Sequence, residues 1–258
     1  MMKRIATILF LCILVAIFHS CADPDSPSGV NISGQGGFAN RFAVCNDYLY
    51  IADNESLKVV DVATASRPQP LKLGDQKIAA GIETILAKDT LLFIGTQEGM
   101  HIYSISRQGI PQEISTVNHI RGHDPLAVQG GYAYVTLNSG NPWSSGQPSQ
   151  LAVYNIKHPK IPLLSYEGSM TNPKGLGVDG DKLFVCNNGR IFAYNVSQPE
   201  STRLIGDSRS IPEASHAEIY DVVSQNGILI AMANDGFYQF DYSKGKMDFI
   251  SKISVKGK

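Results

Sequence analysis

This chain of 258 residues has few charged residues and no low-complexity repeat, and both features exclude classes of protein. Only 17% of its residues are charged, below the roughly 25% of an average globular domain, which argues against a long disordered chain. The formal net charge of −1 gives no basis for electrostatic capture of nucleic acid or of an acidic membrane. The 24 glycines and 13 prolines follow no period of three, so a collagen-like chain is excluded.

Recognisable catalytic and metal-binding motifs are also missing. The sequence has no Gly-rich phosphate loop, no G-x-S-x-G elbow and no H-E-x-x-H motif. His119 and His123 are four residues apart in NHIRGHD, but this spacing makes one ligand face only on a helix, and the stretch is typical of a strand end and a loop. We therefore predict no metal and no cofactor, and the sequence leaves open whether the protein is an enzyme.

The first twenty residues predict a secretory signal peptide. Lys3 and Arg4 precede the apolar run Ile5–Phe18, which is the order of a signal sequence. The run is short against the ~20 residues that span a bilayer. A retained transmembrane anchor is the alternative.

Cys21 stands directly after this segment. The stretch FHSC followed by ADPDSPSG resembles the lipobox of bacterial lipoproteins, with Phe18 and His19 where that motif has leucine and a small residue. The resemblance implies that Cys21 is the lipidated first residue of the mature protein, and ordinary signal-peptidase cleavage is the alternative. Residues 21–37 are rich in Pro, Ser, Gly and Asp and predict a flexible tether.

Five similar segments fill the rest of the chain, at approximately 38–80, 81–122, 123–170, 171–215 and 216–258. One apolar column of the alignment holds Val44, Ala87, Val128, Val178 and Val223, and a second holds Tyr50, Phe93, Tyr134, Phe184 and Leu229. Every segment contains short β-branched or aromatic runs bounded by Gly, Asn, Asp or Pro, without helical periodicity. About four strands in ~40–50 residues is the size of a propeller blade. The sequence therefore predicts an all-β, five-bladed β-propeller over residues 38–258.

The first segment resembles a known repeat. LKVVDVATASRPQPLKLG is similar to the LVIVD repeat of bacterial surface propellers, and Asp61 matches its acidic position. The resemblance spans all five segments and is closest in the first. It implies a propeller fold and an extracytoplasmic address, and it brings no catalytic residues with it.

Two cysteines remain in the propeller, Cys45 in the first segment and Cys186 in the fourth. In a ring of five these segments are two apart, so the cysteines should lie beyond the ~7 Å Cα separation that a disulfide allows. We predict two buried free thiols.

The first strand of each blade lines the channel of a propeller, so residues just before it surround the channel mouth. Each segment has polar residues there, and the longer third segment adds the loop 138–149 with Trp143, the only tryptophan. The alternative for the polar residues is that these loops are polar simply because they are exposed to solvent. The alternative for Trp143 is that its side chain folds down and caps the edge of the blade. The predicted binding residues are Arg41, Glu83, His123, Asp124, Trp143, Lys174, His216 and Glu218.

These observations lead to a hypothesis of function. We expect a lipid-anchored, extracytoplasmic propeller of the bacterial cell envelope, at the outer membrane, that binds or scaffolds a protein or a glycan through the channel mouth. The lipid anchor would be its contact with the membrane, and nucleic acid is not expected as a partner. The alternative is a hydrolase that uses Glu83, Asp124 and Glu218, and a third possibility is a spacer within a larger assembly.

Overall fold

The structure is a computed structural model that describes residues 41–53, 56–63, 69–70, 81–96, 98–118, 125–138 and 148–255. Twenty strands in these ranges form five separate sheets of four antiparallel strands, and each sheet pairs its strands in chain order. The predicted all-β, five-bladed β-propeller is confirmed. No helix in the described ranges is long and apolar enough to cross a membrane.

The strands are numbered along the chain, four to a blade. Blade 1 contains β1–β4, at Phe42–Cys45, Tyr48–Ala52, Leu57–Asp61 and Gln69–Pro70. Blade 2 contains β5–β8, at Ile82–Lys88, Leu91–Thr96, Gly99–Ile105 and Pro111–Asn118. Blade 3 contains β9–β12, at Leu126–Gln129, Tyr132–Leu137, Gln150–Asn155 and Leu163–Ser169. Blade 4 contains β13–β16, at Pro173–Asp179, Lys182–Asn187, Arg190–Asn195 and Arg203–Asp207. Blade 5 contains β17–β20, at Ile219–Gln225, Ile228–Ala233, Gly236–Asp241 and Asp248–Ser254.

Short 3-10 helices occur only in and after the last part of blade 4, within the described residues. They lie at Pro199–Ser201, Ser208–Ser210 and Pro212–Ala214. The second begins after Asp207, whose carboxylate accepts a hydrogen bond from the backbone N–H of Arg209. The second and third helices thus occupy the connection between blades 4 and 5.

The first strand of each blade is the innermost. Contacts run from β1 to β5, from β5 to β9, from β9 to β13 and from β13 to β17. The apolar core between the blades forms four clusters, one for each pair of blades that follow one another in the chain. Both faces of blades 2, 3 and 4 are therefore buried, which explains why their inner strands are apolar on both sides.

The hairpin between the first and second strands has the same geometry in every blade. Its first turn residue adopts a left-handed conformation, with φ between 51° and 58°. Only Gly, Asn and Asp accept this conformation at low cost. The five residues at this position are Asn46, Asp89, Gly130, Gly180 and Asn226.

Tyrosine hydroxyls join neighbouring blades near these hairpins. Tyr50 donates to the carbonyl of Gly109 over 2.9 Å, which links blades 1 and 2. Tyr132 donates to the carboxylate of Glu200, from blade 3 to blade 4. Tyr242 donates to Asp179 over 2.5 Å, from blade 5 to blade 4. Each bond satisfies a polar group at the edge of an apolar interface.

Both cysteines of the propeller are free and buried, as predicted. The Cys45 thiol donates to the backbone carbonyl of Asp89 over 2.9 Å, and Cys186 belongs to the core between blades 4 and 5. Burial raises the pKa of both thiols, well above its ordinary value at Cys186. Neither thiol is suited to react while the protein is folded.

The sequence alignment of the fifth segment is wrong by one residue. Val178 pairs with Leu183 in blade 4, and the residue that pairs with Leu229 in blade 5 is Ser224, not Val223. A one-residue shift moves every side chain to the other face of the sheet. Blade 5 is apolar on both faces, so its pattern fits either register.

Candidate functional site

The topology divides the loops of the propeller between two faces. Because the strands are antiparallel, the loop that leads into the first strand and the loop between the second and third strands open on the same face, which we call the channel mouth. Backbone bonds connect these loops: Asn188 donates to Asn172 over 3.1 Å within blade 4, and Ile219 of blade 5 donates to Gly189 over 2.9 Å. The channel mouth is therefore continuous across blades 4 and 5.

Irregular pairing marks the start of the innermost strand in three blades. The register shifts between Ile82 and Thr84 in β5, between Pro173 and Leu176 in β13, and between Ile219 and Asp221 in β17. A bulge leaves its extra residue outside the ladder and turns that side chain away from the regular direction. The residues in these bulges are Glu83, Lys174, Gly175 and Tyr220.

The structure thus places two of the predicted residues, Glu83 and Lys174, at equivalent positions of blades 2 and 4. The sequence placed them in loops before the strands, and they lie instead within the strands. Tyr220 holds the equivalent position in blade 5 and is 39% exposed. It was not predicted from the sequence.

Arg41 links blades 1 and 2 at the channel mouth. It is exposed, and its Nη1 donates to the carbonyl of Ile82 over 3.0 Å. Glu83 directly follows Ile82 in the chain and is half-buried. One predicted cation and one predicted carboxylate therefore share this sector.

Lys174 lies in a second sector, where blades 3, 4 and 5 meet. Its carbonyl accepts a hydrogen bond from the Thr136 hydroxyl of blade 3 over 2.8 Å. Burial raises the pKa of the Cys186 thiol, the Asp221 carboxylate adds to this rise, and the Lys174 ammonium opposes it. The charges of Lys174 and Asp221 are therefore both close enough to act on one buried thiol.

Asp221 is not among the residues predicted from the sequence. It is 1% exposed, and a Cβ at position 175 would lie 2.0 Å from its Oδ1. Only glycine at position 175 leaves room for this carboxylate. The available signal was a single acid inside the otherwise apolar start of β17, IYDVV.

Glu218 and His216 are exposed in the loop that leads into β17. Glu218 exchanges two hydrogen bonds with Asn234, through its N–H over 3.3 Å and its carbonyl over 3.1 Å. Its carboxylate lies against Gly189, at the turn between the second and third strands of blade 4. In the described part of the chain, Lys174, His216 and Glu218 form no ion pair with one another.

Three asparagines that were not predicted hold the loops of the channel mouth. The Asn138 side chain donates to Asn172 over 2.8 Å and to the carbonyl of Pro173 over 2.9 Å, from blade 3 to blade 4. Asn187 accepts two backbone N–H bonds from the loop that leads into its own blade, and Asn234 accepts one, from Glu218. The signal was a polar residue that ends the second strand or directly follows it in each blade: Asp53, Thr96, Asn138, Asn187 and Asn234.

His123, Asp124 and Trp143 lie outside the described residues, as does Cys21, so these predictions stay predictions. The carboxylates of the hydrolase alternative include Asp124, and the other two, Glu83 and Glu218, belong to blades 2 and 5, which are not neighbours in the chain. Among the described residues, no group of three or more His, Cys, Asp or Glu side chains is arranged to hold a metal ion.

A groove of about 620 Å³ lies away from the channel mouth, between the outer parts of blades 4 and 5. Its apolar floor includes Phe184, Tyr242 and Phe249, and Lys182 and Lys246 lie at its sides. It is the outward end of the core between two blades, since Phe184 and Tyr242 also belong to that core. Its shape follows from blade packing and does not by itself define a binding site.

The fold and the loops described above define a β-propeller with a polar channel mouth. Within this class, residues 36–71 and 123–141 of the chain match the LVIVD repeat family, which confirms the resemblance seen in the first segment. Among curated proteins, none matches the sequence significantly.

Solved structures share the fold at low sequence identity. A functionally unknown protein from Desulfotomaculum acetoxidans is 14% identical, with a TM-score of 0.66 over 84% of this chain and 70% of that one. A protein from Lactobacillus plantarum is 14% identical, with a TM-score of 0.60 over 82% and 69%. Apo AztD from Citrobacter koseri is 11% identical, with a TM-score of 0.60 over 83% and 60%. At this identity the likeness shows the fold alone.

Proposed function

We propose that this propeller is a binding module of the bacterial cell envelope and that its channel mouth binds a polypeptide partner. The observation that carries the proposal is the set of bulges in blades 2, 4 and 5, which present Glu83, Lys174 and Tyr220 on one face. Bulges are frequent beside functional sites because they redirect side chains. A spacer would have no need of three such irregularities at one end of its channel.

The loops around these side chains support a preorganised surface. Asn138, Asn187 and Asn234 fix the connections of blades 3, 4 and 5 through side-chain hydrogen bonds. A surface that is already ordered loses little conformational entropy when a partner binds. The channel mouth therefore has the rigidity that a recognition surface needs.

The charges favour a polypeptide over a neutral glycan. Arg41 and Lys174 bring positive charge to the mouth, and Glu83 and Glu218 bring negative charge. Charges of both signs are matched most readily by a partner that also carries both signs, and such complementarity gives specificity and a fast association rate. The exposed ring of Tyr220 adds an aromatic contact of the kind enriched in interfaces.

The envelope address and the lipid anchor are part of the proposal and are supported by residues 1–37 of the sequence. Metabolic labelling with an alkyne fatty acid tests them. We expect the full-length protein to incorporate the label and Cys21→Ala to lose it, with Cys45→Ala as the matched control that keeps it. Equal labelling of the Cys21→Ala variant would contradict the anchor.

Site-specific photo-crosslinking tests the binding face in cells that produce the full chain. The photoreactive residue p-benzoylphenylalanine at Tyr220 should give a discrete crosslinked species, and the same residue at Lys244, in the β19–β20 turn on the opposite face, should not. Charge reversal by Glu83→Lys with Lys174→Glu should abolish the crosslink at Tyr220. Equal crosslinking at both positions, or a crosslink to a glycan, would overturn the proposed polypeptide site.

A further inference from the structure

A second groove, of about 580 Å³, lies between blades 2 and 3 on the face opposite the channel mouth. It is formed by the outer strands β7 and β8 of blade 2 and by the turn that joins β11 to β12 in blade 3. The Ser115 hydroxyl of β8 donates to the carbonyl of Pro159 in this turn over 2.5 Å, and the N–H of Ile161 donates to the carbonyl of His158 over 2.9 Å. These bonds hold the turn in place against blade 2.

The charge at this groove is positive. Lys160 lines it together with His158, no Asp or Glu among the described residues lines it, and Arg107 is exposed in the β7–β8 turn beside it. Glu113 lies in β8 but points to the other side of blade 2, where it accepts a hydrogen bond from Tyr103. The groove between blades 4 and 5 has no such excess of positive charge, because three carboxylates line it, those of Asp207, Glu213 and Asp248.

Exposed aliphatic side chains surround the positive groove. Ile161 is 68% exposed, Leu163 is 59% exposed and Ile110 is 44% exposed. Ile161 lines the groove, Leu163 begins β12, and Ile110 directly precedes β8. An exposed apolar patch bordered by charged residues marks an interaction site. We call this surface the basic apolar patch and define it by Arg107, Ile110, Lys160, Ile161 and Leu163.

The chemistry of the patch indicates its partner. Its ammonium and guanidinium groups attract anions, and its exposed aliphatic side chains are stabilised by an apolar environment. A membrane with anionic lipids supplies both, phosphate groups at its surface and acyl chains below them. A single amphipathic anion in the groove would leave Leu163 and Ile110 exposed, and protein interfaces are enriched in aromatic side chains, which the patch does not contain.

We infer that the basic apolar patch binds the surface of a membrane that contains anionic lipids, with Ile161 and Leu163 inserted among the head groups. The net charge of −1 is an average over the chain, and salt screens charges more than ~10 Å away, so the local cations dominate at the patch. This contact is additional to the proposed lipid anchor. It would direct the channel mouth away from the membrane, and it depends on neither the anchor nor the channel mouth.

Fluorescence from a single site tests the inference in the full chain. Cys12→Ser and Cys21→Ala remove the proposed acylation site and leave two buried thiols, and Ile161→Cys then carries the environment-sensitive dye NBD. Phosphatidylcholine vesicles with about 30% phosphatidylglycerol should raise the NBD emission about threefold and shift it to the blue, because the dye enters the head-group region. Pure phosphatidylcholine vesicles should not. The matched control is Ile253→Cys, which is 69% exposed in the native side chain and lies at the channel-mouth end of β20, and it should respond to neither.

Charge reversal shows whether the cations of the patch drive the contact. Arg107→Glu with Lys160→Glu should raise the lipid concentration at half-saturation of the Ile161 label about tenfold or more. Lys58→Glu with Arg209→Glu makes the same change in net charge at exposed positions on the channel-mouth side, and it should change that concentration less than twofold. Because all four side chains are exposed, thermal unfolding of both variants should match that of the unsubstituted labelled protein. Raising NaCl from about 50 to about 500 mM should also weaken the response.

The other occupants of the patch give different results, and each would overturn the inference. Equal responses to both kinds of vesicle, or equal responses at Ile161 and Ile253, would mean that the patch does not recognise an anionic membrane. Saturation by monomeric oleate at one molecule per chain would mean that the groove holds a single amphipathic anion. In cells that produce the full chain, p-benzoylphenylalanine at Leu163 should crosslink to lipid. A discrete polypeptide adduct, from another protein or from another part of this chain, would mean that a polypeptide covers the patch.

Discussion

The two faces of blade 5 have similar apolar composition but very different burial. Leu229, Ala231 and Phe240 point towards blade 4 and are fully buried. Val223, Ile230 and Phe237 point towards blade 1 and are 39–45% exposed. The comparison teaches that an apolar pattern predicts which faces of a blade can be buried. Whether such a face is buried depends on the element that packs against it.

The buried face shows what a complete interface of this propeller contains. Phe184 and Tyr242 lie with ring centroids 4.7 Å apart, and the Tyr242 hydroxyl reaches Asp179 in the neighbouring blade. The interface between blades 4 and 5 thus combines a packed apolar core with a hydrogen-bonded polar pair at its edge. The exposed face carries apolar side chains and a polar pair within blade 5, in which the Ser251 hydroxyl donates to the Gln239 side chain over 3.1 Å.

Thiol labelling should separate the two faces most strongly. We expect Val223→Cys to react with a maleimide at about the rate of a free thiol, because position 223 is exposed. Cys186 reacts only when the core opens, which at ~5 kcal/mol or more corresponds to a rate at least ~10³-fold lower. Mass spectrometry of timed samples counts the labels. If Val223→Cys were as protected as Cys186, the face of blade 5 that points towards blade 1 would be covered in solution.

Truncating one large apolar side chain on the buried side and one on the exposed side of blade 5 should show a difference in stability. Phe184→Ala leaves a cavity between blades 4 and 5 and is expected to lower the free energy of unfolding by about 3–5 kcal/mol. Ile230→Ala, at the equivalent position of blade 5, should cost less than ~1 kcal/mol, because the side chain is nearly half exposed. Urea denaturation measures both. Equal losses would show that Ile230 is buried by a part of the chain outside the described residues.

The sequence predicted the number of blades well because each blade repeats the same physical requirements. The turn residues Asn46, Asp89 and Asn226, with Gly130 and Gly180, occupy one left-handed position, and each apolar strand follows at a constant distance. These local signals are sufficient for a fold that consists of successive antiparallel strands.

The register of blade 5 could not be predicted in the same way. With apolar residues on both faces, Val223 and Ser224 fit the same column almost equally well, and only the strand pairing distinguishes them. How closely blade 5 packs against blade 1 depends on contacts between distant parts of the chain, which no single repeat encodes.

The channel mouth was predicted only in part. Glu83 and Lys174 were found because polar residues at a fixed offset are visible in an alignment. Asp221 and Tyr220 were missed because their roles depend on a bulge, and a bulge changes which side chains face the channel without changing the residue pattern.

The hydrogen bond of Tyr242 provides a smaller test of the same comparison. Tyr242→Phe leaves the Asp179 carboxylate without this donor and should lower the free energy of unfolding by about 1–3 kcal/mol. Tyr220→Phe on the exposed face should change it by less than ~0.5 kcal/mol. Both variants keep the aromatic ring, so urea denaturation reports the hydroxyl alone. A loss of the same size in Tyr220→Phe would show that the exposed face makes polar contacts with another part of the chain.

The outer strands give the smallest expected effect, because they are the most exposed. Strand β8 of blade 2 carries Glu113, which accepts hydrogen bonds from Thr116 and Tyr103 and lies 3.4 Å from Nδ1 of the buried His101. Burial alone would raise the pKa of Glu113, but these hydrogen bonds, with the charge of His101, hold it below its ordinary value of 4.5. The equivalent strand of blade 5, β20, exposes the apolar Ile253 instead.

A carboxylate whose pKa is depressed by folding stabilises the folded state above its unfolded pKa, and this contribution disappears as the pH falls through the folded pKa. Glu113→Gln should therefore lower the free energy of unfolding at pH 5 and above, and the difference from the natural protein should shrink as the pH falls below about 4.5. The amount is expected to stay under ~1 kcal/mol, since the side chain is 46% exposed and solvent screens its charge. Tyr103→Phe removes one donor to Glu113, so it should reduce the pH-dependent part while leaving the carboxylate in place. Urea denaturation from pH 7 to pH 3 measures both variants, and a difference that grew as the pH fell below about 4.5 would mean that Glu113 is stabilised in its protonated form.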